Sequence, residues 1–146
     1  MFEKILVVCV GNICRSPTGE ALLKTHLPNL KIESAGIATE KSKLLGKAAE
    51  KNAEKVAAQN GVTLIGHSAQ QLSRRMCNEF DLILVMEHKH IEAVTNISPE
   101  ARGKTMLFGQ WIGQKDIPDP YQKSIEAFEH AYQLIEKAAK AWSEKL

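Results

Sequence analysis

The sequence lacks any apolar run long enough to cross a bilayer. Its first apolar segment ends near residue 10, and Glu3 stands where a signal peptide would carry a basic residue. No later run approaches the ~20 apolar residues that a transmembrane helix needs. We therefore expect a cytoplasmic protein without a stable membrane association.

A strong charge bias is also missing. The 19 basic and 17 acidic side chains leave a formal net charge of +2. This balance does not favour a general nucleic-acid-binding protein or a membrane-surface protein. It leaves open a local basic site for an anionic substrate.

The cysteines follow no disulfide or zinc pattern. There are three of them, Cys9, Cys14 and Cys77, and no Cys-x-x-Cys pair. An odd number in a chain of this length argues against a disulfide scaffold, and the missing pair argues against a structural zinc site. We expect no metal and no organic cofactor, so the question is whether one thiol is reactive.

The chain shows no repeat, low-complexity stretch or interdomain linker. Its 146 residues are enough to bury a core, and 44% hydrophobic with 25% charged residues is the balance of an ordinary globular protein. We expect residues 1–146 to form a single domain.

Apolar segments alternate with segments of helical spacing. Strands are predicted at residues 5–9, 30–34, 81–85 and 104–108, and helices at 16–25, 47–59, 73–79, 87–95 and from 124 onward. Ser16 is the expected cap of the first helix, with Pro17 at its first position. Residues 109–123 contain Gly and Pro and are predicted to form a long loop. The alternation predicts an α/β fold with a parallel sheet covered on both faces.

A Cys-x5-Arg-Ser pattern runs from Cys9, at the end of the first strand, to Ser16. Parallel sheets bind ligands at the carboxyl ends of their strands. A short loop before a helix N-terminus points backbone N–H groups inward and suits a tetrahedral phosphate. Arg15 can donate two hydrogen bonds to phosphate oxygens. The same positive potential favours a Cys9 thiolate, which can attack phosphorus.

The residues inside the loop support this interpretation. A cysteine that ends an apolar strand is often only a small buried side chain. Here Gly11 gives the backbone freedom, Asn12 tolerates left-handed geometry, and the Ser16 hydroxyl can donate to the Cys9 sulfur. Together with the strand-to-helix context, they favour a phosphate loop.

Residues 8–17, Val-Cys-Val-Gly-Asn-Ile-Cys-Arg-Ser-Pro, together with Asp119-Pro120-Tyr121, resemble the low-molecular-weight protein tyrosine phosphatases. The resemblance covers nearly the whole chain, including residues 33–36 and 66–67. It is closest to the bacterial branch that acts on tyrosine autokinases controlling capsule and exopolysaccharide export. It implies a three-layer α/β sandwich with a four-stranded parallel sheet and the phosphate loop at the end of strand 1.

The resemblance also implies roles for individual residues. It makes Cys9 the nucleophile, Arg15 the phosphate binder and Asp119 the general acid. It places Asn12, Ser34 and His67 in a hydrogen-bond network that holds the loop. Contacts to the substrate or its phosphate are expected from Val10, Gly11, Asn12, Ile13, Cys14, Ser16 and Tyr121.

Several assignments keep an alternative. Asp116 competes with Asp119 as the acid, because Asp-Pro is often only a turn. Tyr121 either stacks on the substrate ring or packs against the loop, and Ile13 is a candidate for the opposite apolar wall. Cys14 either forms a protective disulfide with Cys9 or is a quiet packed thiol. Residues 37–45 look longer and more polar than the usual wall of the family's cleft, so substrate preference cannot be carried over.

We therefore expect hydrolysis of phosphotyrosine in proteins through a phosphocysteine intermediate, by a monomer whose partner is a bacterial tyrosine autokinase. One rival is a thiol-dependent arsenate reductase, which needs a downstream cysteine pair, whereas only Cys77 lies downstream. The other rival is a non-catalytic phosphotyrosine-binding module. A binding module has no need for a nucleophile together with an acid.

Overall fold

The structure, a computed structural model, describes residues 2–146. Strands and helices alternate along the chain as expected. In chain order they are β1 (Lys4–Cys9), α1 (Arg15–His26), β2 (Lys31–Gly36), α2 (Lys51–Gln59), α3 (Arg74–Glu79), β3 (Leu82–Val85), α4 (His88–Ile97), a 3₁₀ helix (Pro99–Lys104), β4 (Thr105–Leu107) and α5 (Ile125–Ser143). Residues 109–123 contain no helix or strand, which confirms the predicted loop.

The four strands form one parallel sheet in the order β2-β1-β3-β4. Val7 of β1 lies between Ser34 of β2 and Leu84 of β3. The chain continues from β1 to β2 on one side and later reaches β3 on the other. A crevice therefore opens at the carboxyl end of β1, where the strand order reverses and ligands bind in sheets of this kind.

Strand β1 is buried on both faces because alternate side chains pack into different layers. Ile5 and Val7 belong to the apolar cluster that includes side chains of α1, α2 and α5. Leu6 and Val8 belong to a second cluster that includes side chains of α3, α4 and the 3₁₀ helix. This arrangement is the predicted three-layer sandwich. It places Cys9 at the carboxyl end of β1, a central strand of the sheet.

Helix α1 begins earlier than its sequence suggests. Its first residue is Arg15, with Cys14 at the cap position and no side chain capping the helix. The prediction that Ser16 caps this helix is wrong, because the Ser16 hydroxyl lies inside the first turn and bonds to Cys9. Pro17 is accordingly the third helical residue.

Helix α2 begins later than expected, at Lys51 and not at residue 47. The Lys47 carbonyl accepts a hydrogen bond from the Ala69 N–H, which holds the segment against a neighbouring loop. The Glu50 side chain then accepts from the Asn52 N–H and caps the helix. Tertiary hydrogen bonds outweigh the helix propensity of the preceding residues.

Helix α5 packs against α1 and α2 in the layer on one face of the sheet. Ser124 caps it by accepting from the Ala127 N–H, and its apolar residues pack on α1 and α2. Its Trp142 donates from Nε1 to the carbonyls of Leu107 and Phe108, which ties the helix to the end of β4. In the part of the chain that the structure describes, no helix is both long and apolar enough to cross a membrane.

We expect Gly36→Ala to lower the free energy of unfolding by about 2 kcal/mol or more. A Cβ at Gly36 would lie 2.6 Å from the Val10 carbonyl oxygen and would overlap the Thr39 hydroxyl, so the phosphate loop would have to move. Urea unfolding measures the loss. Gly103→Ala is the matched control, because nothing lies within 4 Å of its added Cβ. Equal stability of the two variants would contradict the close approach at Gly36.

Candidate active site

The sulfur of Cys9 lies at the floor of the crevice and is almost fully buried. Two donors converge on it: the Ser16 hydroxyl oxygen is 3.0 Å away and the Asn12 backbone nitrogen is 3.3 Å away. Asn12 takes a left-handed conformation with φ of 61°, which turns its N–H toward the sulfur. Both donors stabilise negative charge on the sulfur.

Asn12 organises the loop through its side-chain amide. Its Oδ1 accepts from the Gln70 backbone N–H at 2.9 Å, and this N–H can only donate. The amide orientation is therefore fixed, and Nδ2 donates to the hydroxyls of Ser16 at 2.8 Å and Ser34 at 2.9 Å. Ser16, having accepted this bond, has its own proton left for the Cys9 sulfur.

A further ring of contacts surrounds Asn12. The Nε2 of His67 lies 2.6 Å from the Asn12 carbonyl oxygen, to which it donates. The Ser34 hydroxyl donates to Glu20 at 2.5 Å, and Glu20 also pairs with Lys24. The structure thus brings together Asn12, Ser34 and His67 and adds Glu20 and Gln70. Glu20 lies one helical turn after Ser16 and could have been found by that spacing, whereas Gln70 contacts Asn12 through its backbone and leaves no sequence signal.

We expect Ser16→Ala to lower kcat by about tenfold or more, because a hydrogen bond to a charged group is typically worth 1.5–3 kcal/mol. KM should change little, since the Ser16 hydroxyl bonds to the sulfur and not to the cleft surface. Steady-state kinetics with an aryl phosphate measures both quantities. Ser34→Ala is the graded comparison and should lose less activity, because Ser34 acts through Asn12. A larger loss in Ser34→Ala would contradict this order of contacts.

Arg15 is buried directly beneath the crevice, with its side chain 2% exposed. Its Nη1 donates to Oε2 of Glu87 at 2.6 Å and to the Ile117 carbonyl at 2.7 Å. Its Nη2 lies 3.8 Å from Oδ2 of Asp119. The guanidinium therefore links the phosphate loop to the loop that carries Asp119.

Asp119 and Asp116 have different surroundings. Asp119 lines the crevice, and its Oδ1 accepts from the Tyr121 N–H while Oδ2 faces Arg15. Asp116 accepts from both the backbone N–H and the Nδ1 of His88. Burial acts to raise the pKa of Asp116, but its bonds to His88 outweigh burial and hold that pKa below the ordinary value. Asp116 is thus an occupied hydrogen-bond acceptor, and Asp119 is the carboxyl group at the crevice.

The crevice has a volume of about 200 Å³ and mixed walls. Tyr121 lines it and is 42% exposed, which leaves its ring free to contact a ligand. Ile13 also lines it but is largely buried in the core. Residues 37–45, compared with the cleft wall of the family from the sequence, contribute Ser42 and Leu44 to the lining, two side chains that the sequence did not single out.

The segment 37–45 is attached directly to the phosphate loop. The Ala38 N–H donates to the Val10 carbonyl at 2.9 Å, and the Thr39 hydroxyl donates to the Gly11 carbonyl at 3.0 Å. Leu44 lies so close to Gly11 that a Cβ there would come within 2.8 Å of its Cδ1. The segment is therefore a fixed wall of the crevice.

The other two cysteines differ from Cys9. Cys14 lines the crevice, and burial together with the nearby Cys9 raises its pKa far above the ordinary value. Cys77 is fully buried in the cluster on the opposite side of the sheet from Cys9. This placement prevents Cys77 from completing the disulfide relay that an arsenate reductase requires.

The Cys9 thiol, the buried Arg15 guanidinium and the Asp119 carboxyl group thus meet at one crevice at the carboxyl end of β1. The family described as low molecular weight phosphotyrosine protein phosphatase matches residues 4–146. The chain belongs to this family and is a protein-tyrosine-phosphatase.

Individual relatives are similar over their full length. The chain is 53% identical to the low molecular weight protein-tyrosine-phosphatase Wzb of Escherichia coli K12, covering 100% of this chain and 97% of the relative. It is 56% identical to the probable low molecular weight protein-tyrosine-phosphatase AmsI of Erwinia amylovora, covering 97% and 96%. The solved structure of Vibrio vulnificus Wzb in complex with benzylphosphonate shares 65% identity, with a TM-score of 0.99 and full coverage of both chains. The expected family, bacterial relatives and fold are confirmed.

Proposed function

We propose that the phosphatase works through a phosphocysteine on Cys9. The observation that carries the proposal is the convergence of the Ser16 hydroxyl and the Asn12 N–H on the Cys9 sulfur at the floor of the crevice. These donors favour the thiolate that attacks phosphorus, while Arg15 and the loop N–H groups bind the charge that develops on the phosphoryl oxygens. Asp119 donates a proton to the tyrosyl oxygen as the S–P bond forms and the P–O bond breaks.

The second step releases the phosphate. Asp119, deprotonated by the first step, takes a proton from a water molecule that attacks the phosphocysteine. The S–P bond breaks and the electron pair returns to sulfur, where Ser16 stabilises the leaving thiolate. The loop and Arg15 already neutralise the phosphoryl charge, so the proposed reaction uses no metal ion.

We propose that the substrate is a phosphotyrosine protein, and specifically a bacterial tyrosine autokinase that controls capsule or exopolysaccharide production. The likeness of residues 8–17 and 119–121 to that bacterial branch supports the autokinase. The exposed ring of Tyr121 in the crevice and the benzylphosphonate bound by the Vibrio vulnificus relative support an aromatic phosphate ester.

A panel of phosphorylated proteins tests this substrate. The phosphatase should dephosphorylate the phosphotyrosines of an autokinase from its own genome with a kcat/KM at least about tenfold above that for phosphoserine peptides of equal charge. The Cys9→Ser variant is the control for contaminating phosphatases. Equal rates on phosphoserine and phosphotyrosine, or no action on the autokinase, would refute the proposed substrate.

We further propose that residues 1–146 act as a single domain and as a monomer in the cytoplasm. Cys9, Arg15 and Asp119 meet within one chain, so the site needs no second copy. The three cysteines are free thiols, which suits a reducing compartment. Light scattering across a concentration series tests the oligomeric state, and a dimer at catalytic concentrations would overturn it.

We propose that Cys14 protects Cys9 from irreversible oxidation. Hydrogen peroxide converts the Cys9 thiolate to a sulfenic acid, and the Cys14 sulfur then displaces hydroxide, taken up with the Cys14 proton as water, to form a disulfide. After peroxide treatment, a thiol reductant should restore most wild-type activity but several-fold less in Cys14→Ser. Cys77→Ala is the control, because Cys77 lies in the core away from the crevice. Equal recovery in Cys14→Ser would contradict the protection.

A further inference from the structure

One end of the Arg15 guanidinium is already bonded to the protein. Nη1 carries two protons, and its bonds to Glu87 and to the Ile117 carbonyl use both of them. The Nε–Nη2 edge keeps its protons for another acceptor. This edge has the geometry that binds two oxygens of a phosphate at once.

Glu87 is held in place to make this contact. It occupies the cap position of α4 in an extended conformation, two residues after β3 ends at Val85, with its side chain 17% exposed. Burial acts to raise its pKa, but the hydrogen bond and the positive charge of Arg15 outweigh burial and keep that pKa below the ordinary value. Glu87 is therefore an ionised acceptor near pH 7, and a negatively charged phosphate does not bind to it directly.

Within the described residues, no other cation near Glu87 competes with Arg15 for its Oε2 atom. His90 is buried with its Nε2 3.7 Å from Oε2, and neither of its ring nitrogens has a hydrogen-bond partner among residues 2–146. Burial and the neighbouring Arg15 lower the pKa of His90 to about 4, so His90 is neutral near pH 7 and is not a competing cation. The exposed Lys89 lies nearest to the other oxygen, Oε1, at 3.6 Å.

We propose that Glu87 is a positioning residue for phosphoryl transfer. Together with the Ile117 carbonyl, Glu87 fixes the Nη1 end of Arg15 and so presents the Nε–Nη2 edge to the phosphate. Because Ile117 lies two residues before Asp119, the same contact holds the loop of the acid beside Arg15. The inference rests on the proposed function of Arg15 as the phosphate binder.

Two substitutions separate positioning from a plain ion pair. Glu87→Ala removes both the acceptor and the charge, and kcat on a phosphotyrosine peptide should fall by about 10-fold to 100-fold. Glu87→Gln keeps a carbonyl oxygen that can accept from Nη1, and kcat should return to within about threefold of wild type. Inorganic phosphate should inhibit Glu87→Gln roughly threefold more strongly than wild type, because no carboxylate then offsets the charge of Arg15.

The controls make each outcome decisive. Glu92→Gln changes an exposed residue on the same helix and should match wild type in both kcat and phosphate inhibition. A folded Glu87→Ala with wild-type kcat, or a Glu87→Gln no better than Glu87→Ala, would overturn the inference. If Glu87→Ala does not fold, a folded Glu87→Gln whose kcat falls more than about tenfold below wild type overturns it alone.

The wild type and Cys9→Ser are measured in the same assay. An inactive wild type, or activity that does not depend on Cys9, would show that the proposed function is wrong. A wild type whose activity depends on Cys9, combined with an unaffected Glu87→Ala, would show that only the positioning role is wrong. The two failures are therefore distinguishable.

Discussion

Replacing Cys9 by serine should abolish hydrolysis of phosphotyrosine, with a fall in kcat of about 10⁴-fold or more. A serine hydroxyl at this position is a much weaker nucleophile, and the donors around it serve a thiolate. Arg15 and the loop N–H groups remain in the variant, so it should still bind inorganic phosphate. Steady-state kinetics and calorimetric titration with phosphate measure the two properties.

Cys77→Ala is the control, because it removes a thiol that lies away from the crevice. Cys77 packs in the second apolar cluster, so its loss should leave the kcat of the folded enzyme unchanged. Activity of Cys9→Ser within tenfold of wild type would contradict the assignment of the nucleophile. A Cys9→Ser variant that neither hydrolyses nor binds phosphate would show instead that the loop had collapsed.

Replacing Asp119 by asparagine should lower kcat by an amount that depends on the leaving group. General acid catalysis typically contributes 10²–10⁴-fold, and a tyrosyl oxygen of pKa ≈ 10 needs the proton as it departs. The loss should be about 10²-fold or more for phosphotyrosine. It should shrink toward unity for aryl phosphates whose phenols are stronger acids, which leave readily without a proton.

Asp116→Asn is the matched control on the same loop. Its carboxylate accepts from His88 and does not line the crevice, so the variant should keep wild-type kcat for every leaving group. A loss in Asp119→Asn that is equal for all leaving groups would contradict its role as the acid. A leaving-group-dependent loss in Asp116→Asn would transfer that role to Asp116.

The sequence was informative where chemistry is local. The apolar run of β1, followed by Cys-x5-Arg-Ser, predicts both the strand and the loop, because the phosphate cradle is made by consecutive residues. The prediction that Ser16 caps α1 was wrong because it depends on the fold of the loop. A serine before a proline is typical of a helix start, and only the folded loop shows that its hydroxyl bonds to the Cys9 sulfur.

Contacts between distant segments could not be predicted. Glu87 is separated from Arg15 by 72 residues, and nothing in the pattern of β3 and α4 indicates that it meets a buried cation. Leu44 reaches the crevice only because residues 37–45 bond to the backbone of the phosphate loop. Gly19 in α1 is a similar case, because a Cβ there would lie 3.1 Å from side-chain atoms of Val7 and Phe108, so the packing of α1 on the sheet leaves little room for a larger residue.

The most direct test of the covalent mechanism is the partitioning of products in the presence of glycerol. The wild type hydrolyses a series of aryl phosphates with different phenols, and the ratio of glycerol phosphate to inorganic phosphate is measured for each. A phosphocysteine intermediate predicts one ratio for the whole series, because the phenol has already departed when water or glycerol attacks the phosphate on Cys9. A ratio that changes with the phenol would mean direct transfer from substrate to water and would contradict the phosphocysteine intermediate.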